Sequence, residues 1–226
     1  MDIELHFTEC GDGEPLVLLH GNGEDSTYFE HQVPLLAERF RVFAIDTRGH
    51  GGSPRGTAPF TLDQFVEDLA GFMDARGIDA AHLFGFSDGA NIALLFALAH
   101  PRRVSSMVLN GGNLFPEGLT EEVRREDAAS YEEALAKGDE HQLELLRLMM
   151  DEPRIDPAEL AAIDVPVLVV AGTDDMIEEA HTRLIAESIP GAQLSFVEGS
   201  HFVAAEDPQP FNEVIASFYG NLASRR

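Results

Sequence analysis

Cysteine, cationic side chains and long apolar runs are all scarce in this sequence, and each shortage excludes something. Cys10 stands alone, so there is no disulfide framework and no four-thiolate metal site. Lysine and arginine together number 15 against 40 aspartates and glutamates, for a formal net charge of −25 at pH 7. That charge repels phosphate backbones and anionic lipid, so neither nucleic acid nor a membrane is an expected partner. The longest apolar stretch, residues 90–99, is interrupted by Asn91 and reaches about half the ~20 residues of a membrane span. Met1 is followed by Asp2 with neither a basic start nor an apolar signal core, so a soluble, cytoplasmic protein is expected. There is no G-x-G-x-x-G, no P-loop and no internal repeat, and none of the nine histidines pairs with another at H-x-x-x-H spacing. No metal and no cofactor are therefore expected.

What is present is an alternation of apolar runs and amphipathic stretches. At 226 residues and 44% apolar, the chain suits a single domain over 1–226 with a substantial core. Residues 3–8 alternate like a half-exposed strand, and 16–19, 42–45, 81–86, 107–109, 167–171 and 193–197 read as strands covered on both faces. Residues 28–39, 62–76, 90–100, 179–188 and 210–222 read as helices. The pattern predicts an α/β fold, a mostly parallel open sheet of about seven strands with helices on both faces. Residues 113–157 break the rhythm with acidic, helix-favouring sequence (121–137 and 140–150), too long for a plain crossover. They are expected to form an inserted helical lid over the carboxyl edge of the sheet.

Chemistry concentrates around Gly85-Phe86-Ser87-Asp88-Gly89, at the junction of a predicted strand and helix. A G-x-S-x-G in that setting reads as a nucleophile elbow, in which glycines two residues to either side let strand and helix approach closely. His20-Gly21-Asn22 follows the second strand directly, where the Asn22 amide could join the Asp88 amide in holding an oxyanion. The glycine-rich Asp46-Thr47-Arg48-Gly49-His50-Gly51-Gly52-Ser53 follows the third strand and suits a tight loop beside the site.

With Gly172-x-x-Asp175 and Gly199-Ser200-His201 added in this order, the chain resembles proteins of the α/β-hydrolase fold over essentially its whole length. The resemblance implies a Ser–acid–His order, with Ser87 as nucleophile, Asp175 as acid and His201 as base; the adjacent Asp174 stays open as an alternative acid. It further implies a serine hydrolase of the carboxylesterase kind acting on a small-molecule ester. The alternatives are a cofactor-free C–C hydrolase, lyase or perhydrolase on the same frame, or a small-ligand receptor with slow turnover. Related sequences often carry one more strand before that of residues 3–8. Seven strands are therefore expected, the first antiparallel, with an edge that leaves monomer or homodimer open.

The substrate pocket is expected among Phe29, Phe86, Leu114, Phe115, Met149, Met176 and Phe202, with Met149 and Met150 unable to face the same way on one helix. The Asp88 carboxylate is read first as a cap of the elbow helix and second as a reader of a cationic substrate group. His20 and His50 are read as structural parts of their loops, His20 by hydrogen bonds to backbone.

Overall fold

Residues 2–223 are described in a computed structural model of the chain. Seven strands occur: β1 (Phe7–Cys10), β2 (Glu14–Leu19), β3 (Phe40–Ile45), β4 (Ala81–Phe86), β5 (Val104–Asn110), β6 (Val167–Asp174) and β7 (Gln193–Ser200). They form one sheet in the order β1-β3-β2-β4-β5-β6-β7. β1 pairs antiparallel with β3 and every other pairing is parallel. The α/β fold expected from the apolar runs is thus observed.

The helices are α1 (Val33–Leu36), α2 (Leu62–Ala75), α3 (Asp88–Ala99), α4 (Glu121–Lys137), α5 (Glu140–Asp151), α6 (Glu179–Ser188), α7 (Val203–Glu206) and α8 (Pro208–Ala223). Two apolar layers cover the sheet. Val17 and Leu19 of β2 face a layer built with Phe65 and Leu69 of α2 and Phe96 of α3. Leu16 and Leu18 face the other, with Phe211, Ile215 and Phe218 of α8. This is the two-residue period of a strand buried on both sides, which is why the central strands read as unbroken apolar runs. Each such side chain contributes about 1.5–3 kcal/mol when fully buried.

Local chemistry sets the helix ends. Thr61 accepts from the Gln64 amide to start α2, and Thr120 and Asp139 do the same for α4 and α5. α4 ends at Gly138, whose φ of 69° closes the helix in the left-handed conformation. Between β5 and β6, α4 and α5 pack on each other through Ala134, Leu143 and Leu146, with Tyr131 against them.

Two elements differ from the sequence expectation. Residues 28–39 form no continuous helix: a 3₁₀ turn (Ser26–Phe29) is capped by Asp25, and α1 is short with Pro34 in its first turn. A helix through this stretch would need a backbone N–H that Pro34 lacks. The first strand begins at Phe7 rather than at residue 3. Asp2 is drawn away by Arg48 (2.7 Å) and by the Thr57 amide (2.7 Å), which carries the chain off the sheet.

Candidate active site

β4 runs straight into Ser87, whose φ of 52° and ψ of −120° lie outside the regions L-residues favour. Among the described residues it is the one non-glycine with positive φ, a strain of about 1–3 kcal/mol that its surroundings must hold. They do so through the Ser87 amide, which donates to the Asn110 carbonyl (2.8 Å), and the Ala90 amide, which donates to the Ser87 carbonyl (2.8 Å). A side chain at Gly85 would collide with the Gly89 backbone, and one at Gly89 with the Leu19 carbonyl. This steric limit is the physical content of the two glycines.

The loop after β2 lies against the elbow: a side chain at Gly21 would sit 3.1 Å from the Ser87 Cβ. Two buried imidazoles fasten that loop. His20 Nε2 accepts from the Thr47 amide (2.9 Å), so Nδ1 carries the proton and donates to the Gly21 carbonyl (2.7 Å). His50 Nε2 accepts from the Gly23 amide (3.1 Å), and its Nδ1 reaches the Arg48 carbonyl (3.0 Å). Both are held neutral by burial, which pushes His20 below its ordinary value and His50 down to about 4. His20 therefore bonds backbone, as its position suggested. Among the described residues, neither the Asn22 nor the Asp88 amide is given to a protein acceptor.

His201, just past β7, places Nδ1 2.6 Å from Asp175 Oδ1, with both side chains nearly fully buried. Asp175 is fixed in turn by the Ile177 amide (3.0 Å) and the Gly172 amide (3.3 Å). Asp174 is exposed at the end of β6, so of the two adjacent carboxylates it is Asp175 that meets the imidazole. Gly111, at φ 61°, leaves space for the His201 ring, which a side chain there would strike. Phe86 backs that ring at 4.8 Å between centroids and is itself stacked on Tyr28 at 4.1 Å. His201 meets Asp175 through Nδ1, and among the described residues the Ser87 hydroxyl makes no hydrogen bond.

A small inner cavity of about 20 Å³ touches Ser87, Asp88, Asn113, Leu119, Met149, Glu152, Met176 and Ile177. An outer cavity of about 350 Å³ opens over Asp175 and His201 between the start of α4 and Ser200–Phe202. Larger space, about 580 Å³, lies between β7 and α8 but touches neither Ser87 nor His201.

The expected pocket needs correction. Met149, Met176 and Phe202 line these cavities. Phe29 and Leu114 are fully buried in the two core layers instead. Phe86 is the buried support of the His201 ring, and Phe115 packs edge-on against His181 at 4.6 Å. The turn that replaces the expected helix puts Phe29 on Phe84 and leaves Tyr28 toward the site. Met150 is exposed.

Asp88 does not cap α3. Its carboxylate accepts from the side-chain amides of Asn22 (3.1 Å) and Asn91 (3.2 Å) rather than from helix backbone, since those two amides flank it in the fold. Burial pushes its carboxyl up to about 6 against those two bonds, with Glu152 nearby adding to the rise. Glu24, not singled out by any motif, is pushed up to about 7 by burial, partly offset by the Gly21 backbone and the field of His201.

A parallel-dominated sheet with a strained serine elbow at one strand end and an Asp–His pair at two others is the arrangement of a hydrolase. The chain belongs to the alpha/beta hydrolase fold family, whose model matches residues 14–137. It is 29% identical to RutD of Azorhizobium caulinodans, provisionally named a carbamate hydrolase, over 98% of this chain and 97% of that protein. It is 29% identical to 2-hydroxy-6-oxononadienedioate/2-hydroxy-6-oxononatrienedioate hydrolase 2 of Pseudomonas putida, over 96% and 92%. The crystal structure of the enol-lactonase from Burkholderia xenovorans LB400 superposes with a TM-score of 0.83 at 25% identity, covering 96% of this chain and 97% of that one.

Proposed function

We propose that the protein is a serine hydrolase that cleaves a small or medium, uncharged carboxylic ester through an acyl-enzyme on Ser87. The observation that carries this is the strained Ser87, set beside two amides without protein acceptors and on the same sheet edge as the buried His201–Asp175 pair.

Ser87 Oγ attacks the carbonyl carbon as His201 Nε2 takes its proton, and the developing oxyanion is held by the amides of Asn22 and Asp88. The ester C–O bond then breaks, and His201 returns the proton to the leaving alcohol. Water attacks the acyl-enzyme, giving its proton to His201, and the acid departs as Ser87 is reprotonated. Asp175 holds the Nδ1–H tautomer throughout and stabilises the imidazolium. The α4–α5 insertion serves as a lid that supplies Met149 to the acyl side. The lactonase likeness supports this reading because a lactone is a cyclic ester, and a carbamate would pass through the same acyl-transfer steps.

The second reading is C–C bond hydrolysis, favoured by the name of the Pseudomonas putida relative. Against it, the two cavities are lined by Asp88, Glu122, Glu126, Glu152 and Asp174 with neither lysine nor arginine, a poor host for a dioate. The test is a panel of p-nitrophenyl esters from acetate to decanoate, run with Ser87→Ala beside the wild type. Turnover confined to wild type and peaking at one chain length supports the esterase. Ester inertness together with cleavage of a vinylogous 1,5-diketo acid replaces it with the second reading.

A further inference from the structure

The two amides proposed to hold the oxyanion belong to residues whose side chains are bonded to each other. Asn22 Nδ2 donates to Asp88 Oδ2 (3.1 Å), and it also donates to the Leu145 carbonyl in α5 (3.0 Å). Both of its hydrogens are therefore used, one on the elbow and one on the insertion. The other Asp88 oxygen accepts from Asn91 Nδ2 (3.2 Å), which donates as well to Asn113 Oδ1 (2.9 Å). Asn113 returns a backbone bond to Asn91 Oδ1 (2.9 Å) and passes its own side-chain amide to the Phe115 carbonyl (3.1 Å). The result is a belt of carboxamides with Asp88 at its centre, tied to the insertion at Phe115 and again at Leu145. Asp88, Asn91 and Asn113 are each at least nine-tenths buried, so a donor or acceptor set free here has little water to turn to.

We propose that Asn22 is a positioning residue whose side chain couples the docking of α5 to the spacing of the two oxyanion donors. When α5 is seated, the Leu145 carbonyl fixes the Asn22 carboxamide, and that carboxamide holds the Asn22 backbone against Asp88. When α5 lifts, the same carboxamide loses a partner and the Asn22 amide is no longer held to its register. The relation is reciprocal: charge held between the two amides favours the seated helix. This rests on the acyl-enzyme reading of Ser87.

The experiment follows amide hydrogen exchange across α5 in the full chain, free and as the Ser87 adduct of a p-nitrophenyl alkylphosphonate, together with the rate of adduct formation. The phosphonyl oxygen of the adduct occupies the place of the oxyanion. In wild type the adduct is expected to slow α5 exchange about fivefold or more. In Asn22→Ala, which keeps the backbone amide, adduct formation is expected to slow about tenfold, and the adduct no longer protects α5. Glu144→Ala loosens α5 by a separate route, because it removes the Arg55–Glu144 pair that pins the helix to the 55–58 loop. It is expected to speed α5 exchange in the free protein and to slow adduct formation as well, although the Glu144 carboxylate bonds to Arg55 and not to the side chains of the belt. Equal protection of α5 in wild type and Asn22→Ala overturns the coupling. So does faster α5 exchange in Glu144→Ala with an unchanged rate of adduct formation. Absence of any label on wild-type Ser87 removes the acyl-enzyme reading itself, and the coupling with it.

Discussion

Replacing Asp175 with asparagine preserves its shape while removing one charge and one acceptor. In the native site Oδ1 accepts from both His201 Nδ1 and the Ile177 amide, and Oδ2 accepts from the Gly172 amide. An asparagine has a single oxygen for these three donors. Turned toward Ile177, it keeps the imidazole tautomer but sets its NH2 against the Gly172 N–H. Turned toward Gly172, it presents NH2 to His201 and drives the ring to the tautomer that cannot accept from Ser87. Even in the better orientation, the charge facing the imidazolium is gone. At a separation of ~4 Å and an effective dielectric near 20, that interaction is about 4 kcal/mol, about a thousandfold in kcat. Asp174→Asn alters an exposed carboxylate beyond hydrogen-bond reach of His201 and is expected to change kcat by no more than about twofold. Steady-state hydrolysis of the best ester from the panel, with thermal melts to show that both variants fold, provides the comparison. A loss under tenfold in Asp175→Asn, or a larger loss in Asp174→Asn, refutes the assignment of the acid.

Other perturbations test the supports of the site. Ser87→Ala is expected to retain the fold and to keep less than about a thousandth of wild-type activity. Ser87→Gly should melt higher than Ser87→Ala, by about 1 kcal/mol in urea titrations, because glycine alone adopts a φ of 52° without strain; equal stabilities would contradict the strain. Arg48→Ala strips Asp68, itself almost fully buried, of a two-point ion pair (2.7 Å at each contact) and should cost about 3–5 kcal/mol in chemical denaturation. A loss below 1 kcal/mol would mean that the pair contributes little to the loop it anchors. Glu24 has a folded-state pKa of about 7, raised above its ordinary 4.5, so its ionisation disfavours the folded protein. Stability linked to it is greatest below about pH 4.5 and falls as pH rises through 7. Glu24→Gln should flatten that part of the stability–pH curve and raise stability at pH 8 by about 1–2 kcal/mol, after allowance for its partial exposure. An unchanged slope between pH 5 and 8 would remove Glu24 as the source.

What could be read in the sequence was local, or carried by motifs whose spacing encodes geometry. Gly85 and Gly89 announce a turn because backbone crowding at the elbow excludes any side chain, and that exclusion acts over five consecutive residues. The central strands were legible because burial on both faces demands continuous apolar sequence. Phe29 ends the 3₁₀ turn after β2 and packs into the core against Phe84, a tertiary placement that its apolar character alone does not distinguish from a pocket position. The Asp88 carboxylate reads as a cap because capping is the commonest local use of that residue at that position; Asn91 lies three residues on in the same helix, but Asn22 comes from the loop after β2 and only the fold brings it there. Glu152, Leu119 and Ile177 reach the inner cavity from loops and chain reversals that have no periodicity to reveal them. Glu24 carries no signal at all, since its perturbation comes from burial under tertiary neighbours.

The insertion leaves the sheet after β5 and returns at β6, and these two strands are hydrogen-bonded neighbours. The two strands are parallel, so the connection leaves at the carboxyl end of β5 and re-enters at the amino end of β6, and the sheet fixes both points through the Met107–Val167 and Asn110–Val170 register. Lengthening such a segment costs folding only about 0.6 kcal/mol per doubling, while Ser87, Asp175 and His201 stand on strand ends that the change does not move. On the proposed reading, in which residues 113–157 cover the site, descendants of this sequence can exchange one substrate for another by rewriting that segment while the strand ends beneath it stay where they are.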